Sequence, residues 1–145
     1  ALMYAADRAH HVYSIVRPAL QNGEVVITDR YLDSSIAYQG AGRVLLPTEV
    51  ARISRWATES LTPILTIILD LPANVGLSRL KGADRLESEP LVFHERVRQE
   101  YLNLANSDPE RYLVVDASLT ETEIHKIITE RVVLIPQIKS QDLNS

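Results

Sequence analysis

Apolar side chains at Leu2, Ala5, Ala9, Val12, Ile15, Val16 and Ala19 recur close to every third or fourth position, which predicts a helix over residues 1–21. Asn22-Gly23 is a helix stop. The β-branched run Val25-Val26-Ile27, inside Glu24 to Thr28, reads as a short buried strand that ends in Asp29-Arg30-Tyr31. Asp33, Ser34 or Ser35 can cap a short helix running toward Gln39, and Gly40 to Gly42 is a loop. Pro47-Thr48 opens another helix, with Thr48 as its cap and Val50, Ile53, Trp56 and Ala57 on one face. Ile64 to Leu71 is the second predicted strand, with Asp70 at its end. Pro72-Ala73-Asn74 starts a helix toward Leu80, and the polar, charged stretch Lys81 to Glu89 is a loop. Leu91, Phe93, Val97, Tyr101, Leu102 and Leu104 define a long amphipathic helix from Pro90 to Asn106, which Asp108-Pro109 breaks. Tyr112 to Val115 is the third predicted strand, again followed by an aspartate, Asp116. Leu119-Thr120 leads a last helix to about Leu134, and residues 136–145 read as a frayed tail.

Three wholly apolar strands separated by helices predict an α/β fold with a parallel sheet covered by helices on both faces. Working residues of such sheets sit just past the carboxyl ends of the strands. Asp29, Asp70 and Asp116 are expected there.

Composition narrows the function classes. The 145 residues are 46% apolar with a formal net charge of −4, enough for one core and without the basic excess of a nucleic-acid coat or membrane-surface protein. Cysteine is absent, which excludes disulfides and thiolate metal sites. No apolar run approaches the roughly 20 residues of a membrane span. His10, His11, His94 and His125 have no metal-ligand spacing and read as structural or surface residues. The chain opens Ala1-Leu2-Met3-Tyr4 inside a predicted helix, with neither a charged leader nor a small-residue cleavage site. It is therefore expected to be a fragment.

Asp29-Arg30-Tyr31 is the sharpest chemical feature. A guanidinium fork grips phosphate with two parallel hydrogen bonds. A neighbouring carboxylate can hold Mg²⁺ or take a proton from an acceptor phosphate. The plainer alternative is an ion pair at a strand end with a helix cap.

The longer run Asp29-Arg30-Tyr31-Leu32-Asp33-Ser34-Ser35-Ile36-Ala37-Tyr38-Gln39-Gly40 resembles the central motif of thymidylate kinases. Tyr4-Ala5-Ala6-Asp7-Arg8 resembles the family's aromatic-x-x-Asp-Arg segment, and Gly82-Ala83-Asp84-Arg85-Leu86-Glu87 its lid element, with Phe93 and Arg96 following. The three matches occur in family order over roughly Leu2 to Arg96. The resemblance implies a P-loop nucleoside monophosphate kinase fold, with one domain over residues 1–135 and a lid at about 80–89.

It also implies roles. Tyr4 stacks on the thymine ring of dTMP, with packing into a helical core as the alternative. Arg8 hydrogen-bonds the thymine carbonyl edge near the acceptor phosphate, with a surface ion pair to Asp7 as the alternative. Arg30 grips the dTMP phosphate, and Asp29 organises Mg²⁺ and that phosphate. Ser35 falls where the family places a small polar residue toward the base, and many members carry Asn there. Tyr38 sits under the deoxyribose and crowds the 2′ position against ribonucleotides, or simply packs in its helix. Gln39 supports the base or the loop. Arg85 closes with the lid over the transferred group, and Glu87 approaches the metal or the sugar. Arg79 and Lys81 are further cations on the ATP side. A solvated charged loop is the alternative for this segment.

Family members carry a phosphate cradle, Gly-x-x-x-x-Gly-Lys-[Ser/Thr], on a first strand upstream of the aromatic-x-x-Asp-Arg helix. The five glycines Gly23, Gly40, Gly42, Gly76 and Gly82 precede no Lys-Ser or Lys-Thr. The N-terminal strands of the fold are thus expected to be missing, and these residues alone are expected to be inactive. The implied reaction is transfer of the ATP γ-phosphoryl group to dTMP with Mg²⁺, in a cytoplasmic homodimer that binds neither nucleic acid nor membrane. Two alternatives stand beside it: a related deoxynucleoside kinase, or a non-catalytic remnant that binds dTMP or dimerises.

Overall fold

The computed structural model describes residues 2–40, 46–79, 89–136 and 138. The chain forms two compact units, Ala1–Thr62 and Pro63–Ser145.

The first unit is helical. Helix α1 (Leu2–His11) continues through a π-helical turn, Val12–Val16, into α2 (Arg17–Gln21). The widening has a local cause. Pro18 has no N–H, and its ring presses on the carbonyl four residues earlier, that of Ser14, in the middle of the π turn. The Arg17 N–H accordingly reaches back to the Val12 carbonyl. Gly23, in the left-handed region at φ 80°, ends the helix as expected. Helix α3 (Leu32–Ser35) runs into a second π turn, Ile36–Gly40, and α4 (Pro47–Ala57) packs on α1 and α3. Ala5, Val12, Val16, Leu32, Ala37, Val50 and Ala51 make the core between them. The buried Thr58 hydroxyl donates to the Ser54 carbonyl and closes the end of α4.

Several expectations for this unit need correction. Residues 24–28 form no strand: no ladder partner lies beside them among the described residues, and Ile27 is 91% exposed. A β-branched run favours extended backbone, but only a neighbouring strand can turn it into sheet. The cap of α3 is Tyr31, and Asp33 lies inside the first turn. The cap of α4 is Leu46, with Pro47 rather than Thr48 starting the helix. Trp56, assigned to the apolar face of α4, is 83% exposed within its unit. The buried face is instead Val50, Ala51 and Ser54.

The second unit is α/β. Strands β1 (Thr66–Asp70) and β2 (Tyr112–Asp116) pair in parallel, from Thr66 opposite Tyr112 to Asp70 opposite Asp116. Their connection runs through α5 (Ala73–Ser78) and α6 (Leu91–Ser107), and α7 (Glu121–Val132) follows β2. Phe93, Val97 and Ala105 of α6 are buried with Tyr112 and Val115 of β2. The alternate sheet positions Ile67, Leu69 and Val114 are exposed within the unit. The last helix starts with a capping box: Thr120 accepts from the Glu123 N–H, and the Glu123 carboxylate accepts from the Thr120 N–H.

Candidate active site

The first unit gathers most of the residues expected to hold a nucleotide. Tyr4 and Arg8 lie one helical turn apart on α1, on one side of it. Tyr4 is 58% exposed, so its ring is available for stacking rather than spent in the core. Arg8 is half-buried and held on two sides. Its Nη2 donates to the Ser35 hydroxyl at 2.8 Å, and its guanidinium carbon lies 5.6 Å from the centre of the Tyr31 ring. Its Nη1 is buried without a hydrogen-bond partner among the described residues. Burial lowers the Arg8 pKa, while Tyr31, Asp7 and Asp33 raise it again. An arginine begins so far above neutrality that it stays charged through such a shift.

Ser35 is buried to 8% exposure, with its hydroxyl engaged by Arg8. Asp33, also buried, reads from sequence only as a candidate helix cap. An acidic residue in a first helical turn reads as an ordinary partner of the helix dipole, and nothing local marks it as a neighbour of a distant arginine.

Arg30 adopts the left-handed backbone at φ 62°, which costs an ordinary residue on the order of 1–2 kcal/mol. The Thr28 hydroxyl donates to the Arg30 carbonyl at 3.2 Å and helps hold that turn. The Arg30 guanidinium carbon sits 5.3 Å from the centre of the Tyr38 ring, and Tyr38 belongs to the second π turn. Both features concern residues expected at the acceptor site, and strained backbone and π turns concentrate at such sites. Asp29 is exposed in the bend just before Arg30, not at a strand end. Gln39 lies in the same π turn as Tyr38, and its side chain is outside the described residues.

The other two strand-end aspartates lie in the second unit, where both have protein partners. Asp70 accepts two parallel hydrogen bonds from Arg98, at 2.7 and 2.8 Å, and this pairing holds its carboxyl below the usual range. Asp116 accepts from the Ser118 N–H at 2.8 Å, and its hydrogen bonds to Ser118 likewise lower its pKa. These two carboxylates serve the turns and the β1–α6 contact. Arg98 was missed from sequence because its partner is 28 positions away. Arg79 caps the end of α5 and donates to the Ala117 carbonyl at 3.4 Å. Lys81, Arg85 and Glu87 lie outside the described residues. Among the described residues no three carboxylate or imidazole groups gather into a metal cage. No helix among them is long and apolar enough to cross a membrane.

Parallel strands joined through helices make the second unit α/β, and in the first unit Arg8 and Arg30 are each set against a tyrosine ring. The sequence matches the thymidylate kinase family over residues 1–128. It is 57% identical over 135 residues to the thymidylate kinase of Clavibacter michiganensis subsp. michiganensis (strain NCPPB 382), covering 90% of this chain and 64% of that protein. It is 60% identical over 121 residues to that of Clavibacter sepedonicus, covering 81% and 57%. It is 60% identical over 128 residues to that of Leifsonia xyli subsp. xyli (strain CTCB07), covering 86% and 60%. The chain belongs to the thymidylate kinase family, and so to the P-loop nucleoside monophosphate kinase fold. It spans 57 to 64% of the length of these relatives.

Proposed function

We propose that the protein transfers the γ-phosphoryl group of ATP to dTMP, giving dTDP and ADP, and that this chain supplies the acceptor side. The observation that carries this reading is the Arg8 guanidinium, which is charged, held by Tyr31 and Ser35, and has a buried Nη1 donor without a partner among the described residues. A buried donor of that kind calls for an acceptor on a ligand. A pyrimidine carbonyl supplies one.

In this reading Tyr4 stacks on the thymine, and Arg8 donates to its carbonyl edge. Ser35 acts on the base through Arg8. Tyr38 lies under the sugar, with Gln39 beside it. Arg30 holds the acceptor phosphate, one oxygen of which attacks the γ-phosphorus as the bond to ADP breaks. The protein does little covalent work; it positions two nucleotides and neutralises charge. Asp29 organises Mg²⁺ and the acceptor phosphate. Arg85 covers the transferred group from a lid at about 80–89, with Arg79, Lys81 and Glu87 on the ATP side. Mg²⁺ takes oxygen ligands from one or two carboxylates plus phosphates and water, and its charge offsets that of the phosphates. The exposed Asp29, with Glu87, suits that donor set. We further propose residues 1–135 as one kinase domain in a homodimer, and a cytoplasmic setting.

A coupled ADP-release assay on the full-length protein tests the reaction, with dTMP, thymidine and AMP as acceptors. dTMP is expected to be preferred by a wide margin. Equal or better turnover with thymidine or AMP defeats the proposal.

A further inference from the structure

The reading above gives Tyr31 no contact with substrate, yet Tyr31 touches the group on which that reading depends. It follows the left-handed Arg30 and caps α3. Its ring faces the Arg8 guanidinium, and its hydroxyl donates to the Leu61 carbonyl at 3.2 Å, beyond the end of α4. The ring is therefore fixed at both ends, through the backbone by α3 and through the hydroxyl by the chain after α4. Burial raises the Tyr31 phenol pKa, opposed by its contacts with Thr58, Arg8 and Arg17. The hydroxyl thus stays protonated and able to donate at neutral pH.

Two contacts orient the Arg8 guanidinium. Ser35 takes Nη2, which fixes the fork's rotation in its plane. The Tyr31 ring lies against the guanidinium, its centre 5.6 Å from the guanidinium carbon. Nη1 is buried and has no hydrogen-bond partner among the described residues. A guanidinium only donates, so Arg8 donates to a base carbonyl and leaves an exocyclic amino group facing another donor.

We propose that Tyr31 is a positioning residue for base selection: by holding the face of Arg8 it aims Nη1 at the pyrimidine carbonyl and so favours dTMP over dCMP. This rests on the acceptor-site reading given above.

The test measures kcat/KM for dTMP and for dCMP in the full-length protein and takes their ratio. The variants are Tyr31→Leu, Tyr31→Phe, Arg8→Met and the double variant Arg8→Met/Tyr31→Leu. Tyr31→Leu is expected to lower the ratio about tenfold, the size of a desolvated cation–ring contact. The loss is expected mainly in KM for dTMP rather than kcat. Tyr31→Phe keeps the ring but frees its tether, and about a threefold fall is expected. Tyr31→Phe carries the test by itself if Tyr31→Leu does not fold. In the Arg8→Met background Tyr31→Leu is expected to lower the ratio no further, because a residue that acts through Arg8 has nothing left to position. A purely structural role lowers activity toward both nucleotides alike and leaves the ratio in place, and that result overturns the proposal. So does a Tyr31→Leu effect of full size without Arg8. If Arg8→Met itself leaves the ratio unchanged, the acceptor-site reading fails and Tyr31's role falls with it. If Arg8→Met lowers the ratio and both Tyr31 variants do not, Tyr31's role fails alone.

Discussion

Arg8 on α1 donates to the Ser35 hydroxyl on α3 across 2.8 Å, joining two helices that are 27 positions apart in the chain. The bond makes Ser35 a support for the arginine. Ser35→Ala is therefore expected to raise the dTMP KM of the full-length protein about three- to tenfold, with kcat little changed, the usual effect of losing one hydrogen bond of ordinary strength. Steady-state kinetics with dTMP varied checks this. An unchanged KM means Arg8 is oriented without Ser35.

Arg30 combines a costly backbone with a side chain assigned to phosphate. The two can be separated by substitution. Arg30→Gly removes the left-handed penalty, while Arg30→Ala keeps it, so the glycine variant is expected to be more stable than the alanine variant by about 1 kcal/mol. Both are expected to lose about a hundredfold or more in kcat/KM for dTMP, as a bidentate charged contact disappears. Denaturant unfolding and the coupled assay give the two readouts. An active Arg30→Gly protein removes Arg30 from the acceptor site.

Asp70 and Arg98 tie the end of β1 to α6 through two parallel hydrogen bonds. Because the Asp70 pKa is lowered in the folded chain, mainly by Arg98, its stabilisation is fully present above the ordinary carboxylate range. It is lost as pH falls through that range toward the lowered folded value. Asp70→Asn is expected to cost about 1–2 kcal/mol at neutral pH, the pair being partly solvent-screened, and nearly nothing in strong acid. Unfolding titrations at several pH values measure this. Parallel pH curves for parent and variant show the pair contributes nothing.

Much of the site was legible because its parts are local. The aromatic-x-x-Asp-Arg spacing puts Tyr4 and Arg8 on one side of a helix wherever that helix lies. The run from Asp29 to Gly40 kept its candidate residues close together for the same reason. What the residues touch was not legible. Arg8 meets Ser35 and Tyr31 because three helices pack around Ala5, Leu32, Ala37 and Val50. Tyr31 was passed over because its hydroxyl partner is a backbone carbonyl 30 positions on, and any residue can supply a carbonyl. Asp70 and Asp116 looked like working carboxylates because a strand end says nothing about an arginine on a later helix or the amide that follows.

The order of helices and both strands of the second unit followed from the sequence alone, since periodicity and proline act within a few residues. Only the tertiary structure decided that residues 24–28 pair with no strand among the described residues, that Trp56 faces outward in its unit, and that Arg8 keeps one buried N–H unspent. A short-range pattern states what a segment can become. Ladder bonds, burial and the partner of a guanidinium are set by chain brought from far away, and are settled only when the helices and strands meet.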